Sequence, residues 1–193
     1  MSKYIKLVDG IKSNAGNFEF KIGKINIAKI WNPTSYDPAI MGGFNFSTEE
    51  KILRWIHRGD TVYDVEIPED AEVIDCPSKN CPHGVFRTNK IILNNPRKIT
   101  EEMVFDFYKK SDLPDNTYYQ CLVVLLYKNY INVAKQIIKD RINKDNVDNC
   151  IIEFERMITD KHDGNVYEFN YDELWEEAKE IYNNLLKIKN KIN

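Results

Sequence analysis

Apolar and polar positions alternate through the first hundred residues and then recur at three- and four-residue spacing, which predicts a strand-rich first half and a helical second half. "KYIKLV" (Lys3 to Val8) reads as a strand that ends at Asp9-Gly10. "NFEFKI" (Asn17 to Ile22) and "INIAKI" (Ile25 to Ile30) flank Gly23-Lys24 and predict a hairpin. "WNPTSYDPAIMGG" (Trp31 to Gly43) carries two prolines and two glycines and predicts a long loop, a place where function often sits.

The sharpest local pattern is "GGFNFSTEEKILRWIHRGD", Gly42 to Asp60. A short aromatic strand leads into Ser47, and Glu50 three residues later completes a capping-box pattern that predicts a helix start. Glu49 suits the positive end of that helix, Ile52, Leu53, Trp55 and Ile56 supply its buried face, and Gly59 is expected to stop it. Strands are expected at Thr61 to Ile67, Ala71 to Cys76 and Val85 to Leu93.

After "NNPRKIT" the period becomes helical, so a boundary is expected near Asn95, between a β-rich domain, 1–95, and a helical domain, 96–193. Thr100 is the expected cap of a helix beginning "EEM". A nearly all-apolar segment, Thr117 to Tyr130, has the length of a buried central helix. Ile131, Ala134, Ile138 and Ile142, then Val147, Ile151, Phe154 and Ile158, then Leu174, Ala178, Ile181, Leu185 and Ile188 mark three more apolar faces. The fold class expected is α+β: a mixed or antiparallel N-terminal sheet with one or two helices, followed by a C-terminal helical bundle.

Composition narrows the function classes. The 193 residues are 42% hydrophobic and 30% charged, which are globular values. The net charge of -3 divides unevenly: residues 1 to 100 carry 14 Lys and Arg against 12 acids, and residues 101 to 193 carry 13 against 18. Neither half has the concentrated basic excess of a polyanion-binding surface, so direct nucleic-acid binding is not expected. The longest apolar run, "CLVVLLY" (Cys121 to Tyr127), is too short to span a bilayer, and "MSKYIKLVDGIK" lacks the apolar core of a signal peptide. A cytoplasmic protein with reduced cysteines and no membrane partner is the expectation.

Candidate chemistry concentrates in "DCPSKNCPHGVFRTNK", Asp75 to Lys90. Cys76, Cys81 and His83 have the letters of a zinc site, but a second ligand pair at the usual distance is missing, so zinc is not expected. A Cys76–Cys81 disulfide is unexpected in a reducing compartment, and Pro82 turns the chain between Cys81 and His83, which disfavours a Cys-His dyad. "DCPSKNCPH" is expected to be a turn, and Cys121 and Cys150 to be core. The chain contains no Gly-rich phosphate loop of a known pattern. The glycine pair before the helix start at Ser47 could in principle feed an anion, but Ser47, Glu49 and Glu50 fill that place. Arg54 and Arg58, one helical turn apart, together with Arg87 and Lys90, interleave with Trp55 and Phe86; if "FRTNK" pairs beside that helix, they would form a small basic patch suited to a nucleotide or an acidic protein surface.

The stretch from "DGIKSNAGNFEF" through "GGFNFSTEEKILRWIHRGDTVYDVEIPEDAEVID" to "PHGVFRTNKIIL" resembles an uncharacterised domain family of phages, large DNA viruses and low-GC bacteria, over residues 7 to 100. "FNFST" followed by paired strands also resembles, more distantly, the ADP-ribosyltransferase-like fold, which implies that the sheet is split and that Ser47 stands where a serine braces the nicotinamide pocket. That fold presents a catalytic glutamate from its last strand. "HGVFRTNKIIL" has no acid, and Glu101 and Glu102 fall later, in an expected helix. The phage and viral family brings no activity to carry over. The lack of a complete catalytic set, its viral character and an acidic helical half that could occlude a basic, nucleic-acid-binding protein together point to a non-enzymatic binding protein with a protein partner, such as an inhibitor of a host defence effector of the CRISPR type. An NAD-binding enzyme is the alternative. The expected binding residues are Phe46, Ser47, Arg54, Arg58, Arg87 and Lys90, with no catalytic residue and no metal, and no cofactor unless NAD binds.

Overall fold

The fold is taken from a computed structural model, which describes residues 3–13, 18–35, 37–76, 83–157 and 171–190. The chain is α+β and forms two compact units, Met1–Asp112 and Leu113–Asn193. In the first unit, seven strands make one antiparallel sheet: β1 (Tyr4–Val8), β2 (Asn26–Ile27), β3 (Phe44–Thr48), β4 (Thr61–Glu66), β5 (Val73–Asp75), β6 (Val85–Thr88) and β7 (Lys90–Lys98). Their order is β2-β7-β4-β1-β3-β6-β5. A four-residue helix, α1 (Pro38–Met41), lies in the long loop, a 3₁₀ helix spans Ile52–Arg58, and α2 (Glu101–Lys110) ends the unit.

This order has a geometric consequence. β6 and β7 are joined by Asn89 alone, yet three strands stand between them in the sheet. A flat sheet would hold them about 19 Å apart, four strand spacings, whereas residues two apart in the chain lie within about 7 Å. The sheet must therefore curl over on itself. Its concave side encloses Val8, Phe44, Phe46, Tyr63, Ile91 and Leu93, and Phe20 enters from the loop after β1. Phe18 meets Phe20 and Phe44 edge-on at 5.0 and 4.8 Å, a geometry that aromatic quadrupoles favour, and Phe20 and Phe44 are tilted against each other at 5.4 Å.

The sheet also opens at its centre. β1 pairs with β4 along Ile5 to Val8, but with β3 only at Tyr4↔Thr48 and Ile5↔Ser47. Beyond that point β1 and β3 part. β3 continues alongside β6 instead, from Phe44↔Thr88 to Ser47↔Val85.

Several expectations are corrected. The hairpin expected between Asn17–Ile22 and Ile25–Ile30 is reduced to Asn26 and Ile27, which pair with β7, and the Asn26 side chain holds the intervening turn through Lys21 and Lys24. Ser47 caps no helix; it lies within β3, and the helix begins five residues later in 3₁₀ form. Val85–Leu93 is two strands, because Asn89 passes the chain from one side of the sheet to the other. The boundary expected near Asn95 falls inside β7. There Asn95 and Pro96 together face Tyr63 in a bulge, with Asn95 left-handed at φ 51°. A proline fits a bulge because no ladder N–H is needed from it.

Asp64 locks that bulge, accepting from Asn95 Nδ2 at 2.9 Å and Arg97 Nη2 at 2.6 Å and pairing with Lys3 Nζ at 2.8 Å. Burial alone would raise its carboxyl, but the bonds from Arg97, Lys3 and Asn95 outweigh burial and bring it to about 2.

In the second unit, α3 (Asp115–Tyr127) is the expected central helix, with Leu122, Val123, Leu125 and Leu126 fully buried. α4 (Ile131–Arg141) and α5 (Val147–Met157) pack on it, and α6 (Glu176–Asn190) packs on α5, with Tyr182 stacked on Phe154 at 5.0 Å. Ile188, expected on the buried face, is exposed, and Ile158 lies outside the described residues. Among the described residues no helix is long and apolar enough to cross a membrane.

Gly59 follows the last residue of the 3₁₀ helix, as expected of its stop, and its extended backbone also serves close packing. A Cβ there would stand 2.1 Å from the Val8 carbonyl, at the end of the central strand. Gly59→Ala is expected to destabilise the protein by at least about 2 kcal/mol, because the obstacle is backbone and cannot step aside. Denaturant unfolding measures it, and a loss within experimental error of zero would contradict the packing described.

Candidate functional site

β1 is the central strand of the sheet and is buried on both faces from Ile5 onward. Among its apolar residues stands one cation. Lys6 is 8% exposed, and its ammonium donates to the main-chain carbonyl of Asn45 on β3, spanning the place where the two strands part. Its Nζ also sits 5.6 Å from the centre of the Phe20 ring.

An open pocket of about 470 Å³, mouth included, occupies this parting. Lys6, Asn45, Phe46, Ser47, Trp55 and Arg58 line it. Two arginines act on Lys6 from other elements: Arg58 at the end of the 3₁₀ helix and Arg87 on β6. Burial first, then the charges of Arg58 and Arg87, bring the Lys6 ammonium down to about 7. Among the described residues, none of the ion pairs formed in this unit involves Lys6. The cleft thus concentrates positive charge in a water-poor setting.

The expected binding residues divide. Phe46, Ser47 and Arg58 line the pocket, and Arg87 lies near enough to act on Lys6. Arg87 is half-buried, with its guanidinium lowered chiefly by burial, and Nη1 donates to the Gly42 carbonyl at 2.8 Å. Ser47 is buried and donates to the Gly84 carbonyl at 3.0 Å, so its hydroxyl ties β3 to the start of β6. Phe46 stacks on Phe86 at 5.3 Å and meets Tyr4 edge-on. Arg54 and Arg58 both lie over the Trp55 ring, at 4.9 and 5.4 Å. The helix is 3₁₀, so Trp55 and Arg58, three apart, share a face, and Arg54 does not join the pocket lining. Lys90 opens β7 and is paired with Asp70, away from the cleft.

Glu49 and Glu50, expected to block an anion near this helix, are engaged with the α2 side of the unit. Glu49 pairs with Lys110 at 2.8 Å, and the Glu50 carbonyl accepts from the Asp112 amide. What sequence reasoning missed is Lys6. Its signal was a lone lysine in a strand whose other residues are apolar, which marks a cation forced inside once that strand is central.

Elsewhere, Cys76 is half-buried and its thiol is raised, chiefly by burial, which disfavours a thiolate. Cys81 lies outside the described residues. His83 Nδ1 is 3.8 Å from Asp75. Cys121 and Cys150 are core, as expected, and burial pushes the Cys150 thiol up to about 12. Among the described residues no three His, Cys, Asp or Glu side chains gather as metal ligands would.

No family model, curated protein or solved structure matches this chain. Chemically, the cleft suits a group that brings negative charge. Such a group would neutralise the repulsion among Lys6, Arg58 and Arg87 and restore the proton that burial draws from Lys6.

Lys6 makes stability depend on pH in a stated direction. The unfolded lysine titrates near 10.4 and the folded one near 7, so the unfolded chain holds more protons between those values and stability rises with pH across that window. The cost is fully present below pH 7 and gone above about pH 10.5. Lys6→Met is therefore expected to be more stable than the wild type near pH 7, and the gap to close by pH 10, by on the order of 4 kcal/mol. Paired denaturant titrations measure the difference, in which other groups cancel. A gap that stays constant from pH 7 to 10 would show that Lys6 is ordinarily solvated.

Proposed function

We propose that this chain is a non-enzymatic binding protein whose recognition site is the cleft between β1 and β3, where it receives an anionic group presented by a protein partner. The observation that carries this is the buried Lys6 ammonium in an open pocket that Arg58 also lines, with Arg87 near enough to lower it further. A buried ammonium is costly to hold, and an anion offsets that cost. Trp55 gives the pocket an apolar wall against which the carbon chain bearing the anion can lie. An inhibitor of a host defence effector is a protein of this kind.

A second reading has its own observation. Phe46, Ser47 and Lys6 line one pocket at the parting of a split sheet, the placement that the ADP-ribosyltransferase resemblance gives to a nicotinamide dinucleotide. Against a transfer reaction, β6 is Val85-Phe86-Arg87-Thr88 and offers no carboxylate.

Affinity capture with the wild type, Arg58→Glu and Arg87→Glu, beside thermal melts with and without NAD, tests both. The binding reading expects a partner retained by the wild type and lost by the Glu variants while each still unfolds in one cooperative transition, with no response to NAD. A partner retained equally by all three would overturn it, and a melting temperature that rises with NAD only in the wild type would favour the dinucleotide.

A further inference from the structure

One amine in the cleft has a chemistry of its own. We propose that Lys6 is a nucleophilic lysine, and that the cleft takes a small aldehyde with a flat apolar body, which Lys6 holds as an imine. This goes beyond the binding reading and needs only Lys6 and the cavity that it lines.

Lys6 is 8% exposed on the central strand, yet it lines an open pocket of about 470 Å³, mouth included. A buried ammonium normally has a carboxylate beside it. Among the described residues no carboxylate of this unit forms an ion pair with Lys6. The groups that face it are the Asn45 carbonyl from β3 and the Phe20 ring from the loop after β1, and the charges that act on it are Arg58 from the 3₁₀ helix and Arg87 from β6. A carbonyl and a ring replace only part of the water that burial removes, so the neutral amine gains and its ionisation falls to about 7. An amine that gives one N–H to Asn45 keeps its lone pair, whereas an ammonium has none. Burial thus turns an inert cation into a nucleophile that opens on a cavity.

The lining selects the electrophile. Ile5, Leu7, Phe46, Ile52 and Trp55 give the pocket apolar walls, which suit a flat hydrocarbon body. Neither a carboxylate nor an imidazole stands in the lining to protonate a leaving alkoxide or amine, so esters and amides fit poorly. An aldehyde needs no such leaving group. The Lys6 lone pair attacks the carbonyl carbon, a C–N bond forms, and the carbonyl π electrons move to oxygen to give a carbinolamine. The C–O bond then breaks as the nitrogen lone pair closes the C=N bond. The two protons that Nζ loses leave with the carbonyl oxygen as one water molecule, so the step balances without an oxidant, a reductant or a second substrate.

The test is reductive trapping on the full chain: benzaldehyde as the probe, cyanoborohydride to fix each imine, and mass spectrometry of the digested lysine peptides. At pH 7.5 a solvated lysine is neutral in about one molecule in a thousand, and Lys6 in most. Lys6 is expected to be alkylated at least about tenfold faster than any other lysine. Its rate should level above about pH 8, while the rates of the others keep rising to pH 10. Lys6→Met should lose that adduct and no other, and the wild type unfolded in guanidinium chloride should label Lys6 no faster than its remaining lysines. With formaldehyde, which has no apolar body, the preference for Lys6 should shrink; an equal preference would overturn the assignment of the apolar walls. A lysine that only ties β1 to β3 as a buried ammonium would react slowest of all. Labelling of Lys6 in the folded chain at or below the rate of the other lysines would therefore overturn the proposal, whether charge or access is the cause.

Discussion

The Lys6 ammonium, donated across the gap between β1 and β3 to the carbonyl of Asn45, is the contact on which the rest of this molecule turns. The sheet cannot close there, because β3 leaves β1 after two residue pairs to run beside β6. A gap in the middle of a sheet exposes main-chain groups that need partners. Lys6 supplies a donor from inside the gap, and in doing so places a cation where the protein also gathers Arg58 and Arg87. The bond that spans the opening is thus the origin of its charge.

That opening follows from the path of the chain. One residue, Asn89, joins strands on opposite sides of the sheet, so the sheet must curl. Gly59 lets the chain after the 3₁₀ helix pass against Val8, and the bulge at Asn95-Pro96, locked by Asp64, bends β7 around the far side. The aromatic residues of β3 and of the loop after β1 fill the curl from within. The cations that line the pocket, Lys6 and Arg58, sit on a strand and a short helix rather than on free loops.

Much of this was legible in the residues. Thr100 as a cap, the apolar face Leu174-Ala178-Ile181-Leu185 and the central α3 all follow from spacing, because a helix fixes its partners within four residues. The strand-rich first half was legible as a class, but its internal arrangement was not. Asn95-Pro96 reads as a break unless a bulge is known to need a residue without a ladder N–H. Ser47 followed by Glu50 reads as a cap unless Gly84, 37 residues on, is known to receive the hydroxyl. Of the residues that line the candidate cleft, Arg58, Phe46 and Ser47 were named from their letters. Lys6 was passed over, since its importance comes from β1 being fourth of seven in the sheet, and strand order is a long-range property that no local pattern encodes.

The two units differ in what they offer. The helical unit buries the apolar faces of its helices against one another, with charged pairs such as Arg141–Asp115 and Lys189–Asp148 at its surface. The sheet unit instead holds a buried cation at an open pocket, and that cost makes the pocket its candidate binding site. The most direct measurement is the ionisation of Lys6 itself, followed by heteronuclear NMR of its Cε and Nζ resonances from pH 5 to 11 with Lys6→Arg as the assignment control. The account predicts a midpoint near 7, displaced upward when an anion fills the cleft. A midpoint near 10.4, the value of a solvated lysine, would contradict it.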